Sequence, residues 1–245
     1  MTIAHPASRT YRAIAAVVRP FLFSITKRDW RGGEHLPSSG GFIAAGNHMS
    51  NIDPLTFAHF LYDHGHAPRI LAKASLFTIP VVGTLLLRTG QIPVLRNSSA
   101  AAHSLTTGVE ALRAGSCVAV FPEGTLTRDP DLWPMVAKTG VARLALEARV
   151  PVVPIALVGA YAAWPYKQPN PPLNRPTVHV VIGRPMMPRP GEIAHEFNER
   201  VRRQVLELHD STARAYGMKT LAEYAHTAAL EKAQSEPQQD PKEKQ

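Results

Sequence analysis

Apolar positions along this chain fall into two periods. Tyr11, Ile14, Val17, Val18, Phe21 and Leu22 recur at steps of three and four, which predicts an amphipathic helix over residues 10–25. Pro20 is expected to kink it. Short apolar runs alternate with helical stretches from there on. Strands are predicted at 41–46, 69–72, 91–95, 116–121, 152–157 and 177–182. Helical stretches are predicted at 53–62, 80–87, 100–114, 139–148 and 193–216, with another expected from Lys219. Asp53-Pro54 opens the first of these and Gly115 ends the third, the residues that helix starts and stops favour. Asp53 is also expected to cap the helix it opens.

This alternation predicts an α/β fold: a single central mixed sheet with flanking helices, preceded by the N-terminal amphipathic segment. Three regions follow: residues 1–30 as an N-terminal helix that associates with a membrane, 31–230 as the α/β domain, and 231–245 as a disordered tail with Pro237 and Pro241. The first helix has two readings. It lies in a membrane interface with its apolar face down, or it packs on its own domain. The segment 165–176, with five prolines, reads as a loop, either a plain connection or a cover over a site.

Composition narrows the partners. Among 245 residues the net charge is +8. The last fifteen hold Lys232, Lys242 and Lys244 against Glu231, Glu236, Asp240 and Glu243, so the rest carries +9. A basic body fits a polyanion: nucleic acid, anionic lipid or a phosphorylated substrate. Basic residues are not interleaved with aromatics, and no nucleic-acid motif is present, which disfavours nucleic acid. The single cysteine, Cys117, lies in the apolar run 117–121 and reads as a buried strand residue. No run of about 18 apolar residues occurs, so no membrane-spanning helix is expected.

Candidate chemistry sits where strands end. His48 follows the run 41–46, and Asp53 comes five positions later, across a loop that lets the two meet. A histidine with one ring nitrogen on a carboxylate can act as a base through the other. A pair at this spacing is weak evidence alone, because most such histidines are structural. Gly90-Gln91-Ile92-Pro93-Val94-Leu95-Arg96 ends in an arginine suited to phosphate, though a plain surface arginine is the commoner outcome. Phe121-Pro122-Glu123-Gly124-Thr125 follows a buried strand and fits a β-turn equally well. His48 and Asp53 do not make a metal site, because a third ligand is missing, and His59, His64 and His66 read as solvated. The apolar cluster 76–87 reads as ordinary core packing or as the lining of an acyl groove.

The order of these motifs changes their weight. Asn47-His48-x4-Asp53, Gly90-x-Ile92-Pro93-Val94-x-Arg96, Phe121-Pro122-Glu123-Gly124-Thr125 and Val150-Pro151-Val152-Val153-Pro154-Ile155 occur in that sequence over residues 40 to 160. The set resembles the glycerolipid acyltransferase family, of the 1-acylglycerol-3-phosphate acyltransferase type. The resemblance implies a glycerol-3-phosphate acyltransferase-like fold, with His48 as general base and Asp53 orienting it. It implies acceptor binding by Arg96, Glu123, Gly124 and Thr125, and packing or donor contacts by the block around Pro154. It also implies direct transfer without an acyl-enzyme, from acyl-CoA or acyl carrier protein to lysophosphatidic acid. No cofactor and no metal are expected. Glycerol 3-phosphate, another lysophospholipid or a glycolipid are alternative acceptors. Lys73 and Lys138 are added here as cations near the motifs, each with a solvated surface lysine as the alternative. Ser50 is the one nearby serine that a covalent route would use. The expected setting is a membrane surface, as a peripheral protein on the cytoplasmic side. A non-catalytic lipid-binding protein of the same fold is the competing class, and the intact His48–Asp53 pair argues against it.

Overall fold

A computed structural model describes residues 7–95, 101–122, 139–164, 174–221 and 223. Seven strands form one mixed sheet: β1 (Lys27–Arg31), β2 (Phe42–Gly46), β3 (Arg69–Lys73), β4 (Ile92–Val94), β5 (Cys117–Val120), β6 (Val152–Val158) and β7 (Thr177–Ile182). Their spatial order is β1-β7-β6-β2-β5-β3-β4. Every pairing is parallel except β6 with β7. The central strands β2, β5 and β6 are buried along their whole length. A strand covered on both faces must be apolar throughout, which is why these read as continuous runs.

Alternate residues serve two cores. Ile43, Ala45, Val118, Val120 and Val152 face a layer built from α4 (Ala101–Arg113), α5 (Gly140–Ala148) and α7 (Ala194–Ala215), with Leu112, Leu144, Phe197 and Val201 between them. Phe42, Ala44, Ala119, Val153 and Ile155 face the other way, onto Phe57, Phe60 and Leu61 of α2 (Asp53–Asp63). Cys117 belongs to this second layer, and burial pushes its thiol well above the ordinary value. Pro154 lies within β6 and lends its carbonyl to the Gly183 N–H at 2.8 Å. Gly183 leaves room for the ring: a Cβ there would stand 2.9 Å from Pro154 Cγ.

Helix α1 (Arg9–Ile25) runs continuously through Pro20. Its Ser8 hydroxyl accepts the Tyr11 N–H at 3.0 Å, an N-terminal cap. Tyr11, Ala15, Leu22 and Ile25 are buried against the domain, so the reading in which this helix packs on its own protein holds for one face. Val17 and Phe21, assigned to the same apolar stripe, are instead exposed.

Three further expectations are corrected. Residues 27–31 form β1, an edge strand paired with β7, where no strand was read because three of its five residues are cationic and one is Asp29. His59 is 5% exposed, not solvated: Trp30 packs edge-on to it at 5.0 Å, and its Nε2 accepts the Arg19 Nε–H at 3.3 Å. His64 and His66 are half-buried, the first bonded to the Phe60 carbonyl and the second packed on Phe42. The cluster 76–87 is not core. Leu76, Ile79, Val81, Val82, Leu85 and Leu87, around α3 (Val82–Arg88), are all exposed. The expected tail 231–245 and most of the loop 165–176 lie outside the described residues. Among the described residues no helix is long and apolar enough to cross a membrane.

Candidate active site

Parallel strands β2, β5, β3 and β4 end on one edge of the sheet, and the loop leaving β2 there carries His48. This is the edge where open α/β sheets place their sites. β2 ends at Gly46, and Asn47 then continues the ladder with its side chain. Its Nδ2 donates to the Leu157 carbonyl at 2.9 Å, and its Oδ1 accepts the Leu157 N–H at 2.8 Å. That two-way clamp fixes where the next residue begins.

His48 Nδ1 lies 3.0 Å from Asp53 Oδ2. The same oxygen accepts the Met49 and Ser50 N–H groups, each at 2.6 Å. Asp53 therefore closes the loop onto itself. It does not cap α2; the residue in the cap position is Ile52, with no side-chain bond. Asp53 is 1% exposed and His48 12%, so the carboxylate is sealed while the ring reaches the surface. With Nδ1 donating to the carboxylate, Nε2 is the nitrogen left to take a proton. The ring stacks on Phe121, centroids 4.3 Å apart, and Phe121 in turn packs on Phe57. These contacts limit the ring's rotation.

Ser50 is buried, and its hydroxyl donates to the Trp164 carbonyl at 2.6 Å while accepting the Ile52 N–H at 3.3 Å. Its hydrogen bonds serve the turn and do not involve His48. Lys73 is exposed at the end of β3, on the site edge, separated from β2 by β5. Arg96, Glu123, Gly124, Thr125 and Lys138 lie outside the described residues. β4 and β5, the strands just before Arg96 and Glu123, do end at this edge. Within the second motif, Gln91 ties β3 to β4: its Oε1 accepts the Ile70 N–H at 2.7 Å.

Four supporting groups were not singled out from sequence: Asn47, Phe121, and the amides of Met49 and Ser50. Asn47 and Phe121 stood inside the quoted motifs, which was the available signal. The two amides carry no side-chain signature. Among the described residues no cluster of three or more His, Cys, Asp or Glu is arranged to hold a metal ion.

A 1-acyl-sn-glycerol-3-phosphate acyltransferase from Brassica napus chloroplasts (BAT2) is 32% identical over 167 residues, 67% of this chain and 46% of that protein. One from Borreliella burgdorferi is 35% identical over 127 residues, 51% of this chain and 49% of that protein. The chain thus spans about half the length of the curated relatives it matches. The crystal structure of the 1-acyl-sn-glycerophosphate (LPA) acyltransferase PlsC from Thermotoga maritima superposes with a TM-score of 0.65 at 21% identity, covering 80% of this chain and 77% of that one. At that identity the likeness establishes the fold. The sequence model of the family described as Acyltransferase matches residues 27–158, from the start of β1 to the end of β6, and with more than half its length inside that match the chain belongs to the acyltransferase family.

Proposed function

We propose that this protein transfers a fatty acyl group from a thioester donor, acyl-CoA or acyl carrier protein, to the free hydroxyl of lysophosphatidic acid. The observation that carries the reading is the His48 Nδ1–Asp53 Oδ2 bond, 3.0 Å, with the carboxylate sealed and the ring at the surface. Nε2 takes the proton of the acceptor hydroxyl as its oxygen attacks the thioester carbonyl carbon. The C–S bond then breaks, and the imidazolium returns the proton to the departing thiolate. Asp53 holds the ring in the tautomer this requires and stabilises the imidazolium. The bonding of Ser50 to Trp164 supports direct transfer over a serine-bound intermediate. The relatives' names, 1-acyl-sn-glycerol-3-phosphate acyltransferase, support this acceptor over glycerol 3-phosphate, other lysophospholipids or glycolipids.

Arg96, Glu123, Gly124 and Thr125 are assigned to the phosphate-bearing acceptor on their motif positions, with Lys73 and Lys138 adding positive charge. The +8 chain suits such a partner. The enzyme works as a peripheral protein on the cytoplasmic face of a membrane, where both its lipid substrate and product reside.

The test incubates purified protein with oleoyl thioesters and a panel of lyso-acceptors, with products identified by mass. Phosphatidic acid from lysophosphatidic acid, lost in His48→Ala at an unchanged melting temperature, is the expected result. Full activity in that variant overturns the base assignment. Thiol release without a lipid product indicates a thioesterase instead, and preference for another acceptor reassigns the substrate.

A further inference from the structure

The exposed apolar residues around α3 call for a partner. Leu76, Ile79, Val81, Val82, Leu85 and Leu87 lie within a dozen residues, and Val81 and Leu87 are 71% and 61% exposed. Scattered single exposures are ordinary, but a run of this density marks an interaction surface. The backbone is shaped to hold it out. Val81 sits at φ 66°, ψ −56°, a conformation that a β-branched residue avoids. Gly83 permits the tight turn beneath it: a Cβ there would stand 2.0 Å from the Phe77 carbonyl oxygen. Strain that puts an apolar side chain into solvent serves no packing purpose.

This surface adjoins a second one. α1 packs against α2 and α3. Its inner face is buried, yet its outer face is also mostly apolar or small, with Ala13, Ala16, Val17, Pro20 and Phe21 exposed and Val17 at 73%. Exposed apolar side chains on a helix whose inner face is already buried mark a second contact. Between α1 and α2, reaching Thr89 at the end of α3, runs an apolar groove of about 140 Å³ lined by Tyr11, Ile14, Val18, Leu55, Tyr62 and Thr89. Leu55 belongs to the first turn of α2, two residues from Asp53.

Charge identifies what covers the surface. Residues 7–28 contain Arg9, Arg12, Arg19, Lys27 and Arg28, and residues 69–95 contain Arg69, Lys73 and Arg88; neither segment holds a single Asp or Glu. Arg19 is paired with Asp63 of α2 at 2.8 Å, whereas Arg9, Arg12, Lys27, Lys73 and Arg88 are exposed. A second copy of the chain docking here through a two-fold axis would set these cations against themselves. Anionic lipid headgroups complement them, and the apolar side chains between them reach the acyl boundary.

We propose that α3 and the turn before it, residues 76–88, form with the outer face of α1 one docking surface for an anionic bilayer, with Val81 and Leu87 as its inserting side chains. The inference deepens the proposed function and rests on its lipid acceptor. Docking through α1 and α3 lays the helix that carries Asp53 beside the membrane from which the acceptor comes.

The test is co-sedimentation of the full chain with vesicles of phosphatidylcholine, with and without phosphatidylglycerol. Wild type is expected to bind the anionic vesicles, and less so as salt is raised. Val81→Asp and Leu87→Asp are each expected to lower partitioning by about tenfold or more, as loss of an inserted side chain plus added negative charge requires. Val17→Asp is expected to do the same. Asp tolerates positive φ better than Val, so unchanged melting temperatures are expected for these exposed sites. Met187→Asp and Ile193→Asp, at exposed apolar residues elsewhere, leave binding intact. Wild-type binding by Val81→Asp and Leu87→Asp overturns the proposal. So does a dimer in sedimentation velocity that these variants dissociate, which would make the surface a contact between copies. His48→Ala is expected to bind vesicles normally, so failure of catalysis and failure of docking are read separately.

Discussion

Two histidine–aspartate pairs in this protein have nearly the same bond and opposite surroundings. His48 Nδ1 lies 3.0 Å from Asp53, and His179 Nδ1 lies 2.9 Å from Asp29. In the first, the carboxylate is sealed and the ring reaches the surface. In the second, the ring is sealed and the carboxylate is the more open partner, 4% against 27% exposed. His179 Nε2 is buried with no hydrogen-bond partner among the described residues, and Tyr216 stacks on the ring at 3.9 Å. Asp29 is shared with Arg31 of its own strand and with Tyr216, which follows α7 and ties it to the β1–β7 edge. A His–Asp bond is therefore not in itself a catalytic device. What matters is which partner keeps a free nitrogen where a substrate can arrive. The second pair reads as a clasp between elements far apart in sequence.

The sharpest way to break this contrast is to delete each histidine. His48→Ala is expected to cut turnover by about a hundred- to ten-thousand-fold, the usual scale for a general base, with little change in melting temperature. His179→Ala is expected to keep turnover within a few-fold but to destabilise by about 1–3 kcal/mol, because a buried ring and its bond to Asp29 are lost. For a chain of this size that is a fall of about 2–4 °C per kcal/mol in a thermal melt. Equal loss of turnover in both variants would end the distinction.

Asp53→Asn comes next. The loop directs three donors at the single oxygen Oδ2, a position the amide oxygen can take, which leaves the NH2 group at the Oδ1 position. Turnover is expected to fall by about tenfold or more, because the charge facing the imidazolium is lost, and stability by about 1–3 kcal/mol, because the NH2 group is buried where Oδ1 has no partner among the described residues. A variant that loses turnover at unchanged stability would show that the buried NH2 group finds a partner.

Two smaller effects separate the pairs by pH. Hydrogen bonding from Tyr216, helped by Arg31 and His179, holds the Asp29 carboxyl down at about 2. A lowered carboxyl binds fewer protons folded than unfolded between the two values. Its stability contribution is present above the ordinary carboxylate range and is lost as pH falls from about 4 towards 2. Asp29→Asn is expected to flatten the melting temperature over that window, and Tyr216→Phe to do so partly. In a third pair, His59 with Asp63, the histidine responds at higher pH. Burial, with Arg19 and Arg28 nearby, pulls His59 down to about 4 against the opposing pull of Asp63. The unfolded chain then takes up a proton that the folded one refuses. Melting temperature is expected to fall as pH drops from about 6.5 to about 4, and His59→Gln to remove that slope. An unchanged slope in His59→Gln would place the titration elsewhere.

Most elements were legible because their signals are local. The fully buried strands β2, β5 and β6 announce themselves as apolar runs, and α4, α5 and α7 by period. β1 was not legible. Lys27, Arg28, Asp29 and Arg31 look like solvated charge, and only pairing with β7, about 150 residues away, makes them a strand. The His48–Asp53 pair was legible as a spacing, and its company of motifs marked the family. Its construction was not, because the Met49 and Ser50 amides that bind Asp53 are backbone groups every residue possesses.

The amino-acid order alone determined the α/β class, the order of the motifs and the meeting of His48 with Asp53, since a separation of five positions makes that contact local. The tertiary structure decided everything that turns on which side of an element faces water. It buried His59 beneath Trp30, set Ser50 against Trp164, sealed His179 while opening His48, and left Val81 and Leu87 exposed. Hydrophobicity states what a side chain prefers, whereas exposure depends on which distant elements arrive to cover it. At α3 no part of the described chain covers those side chains, so the apolar run that read as core or groove stands on the surface.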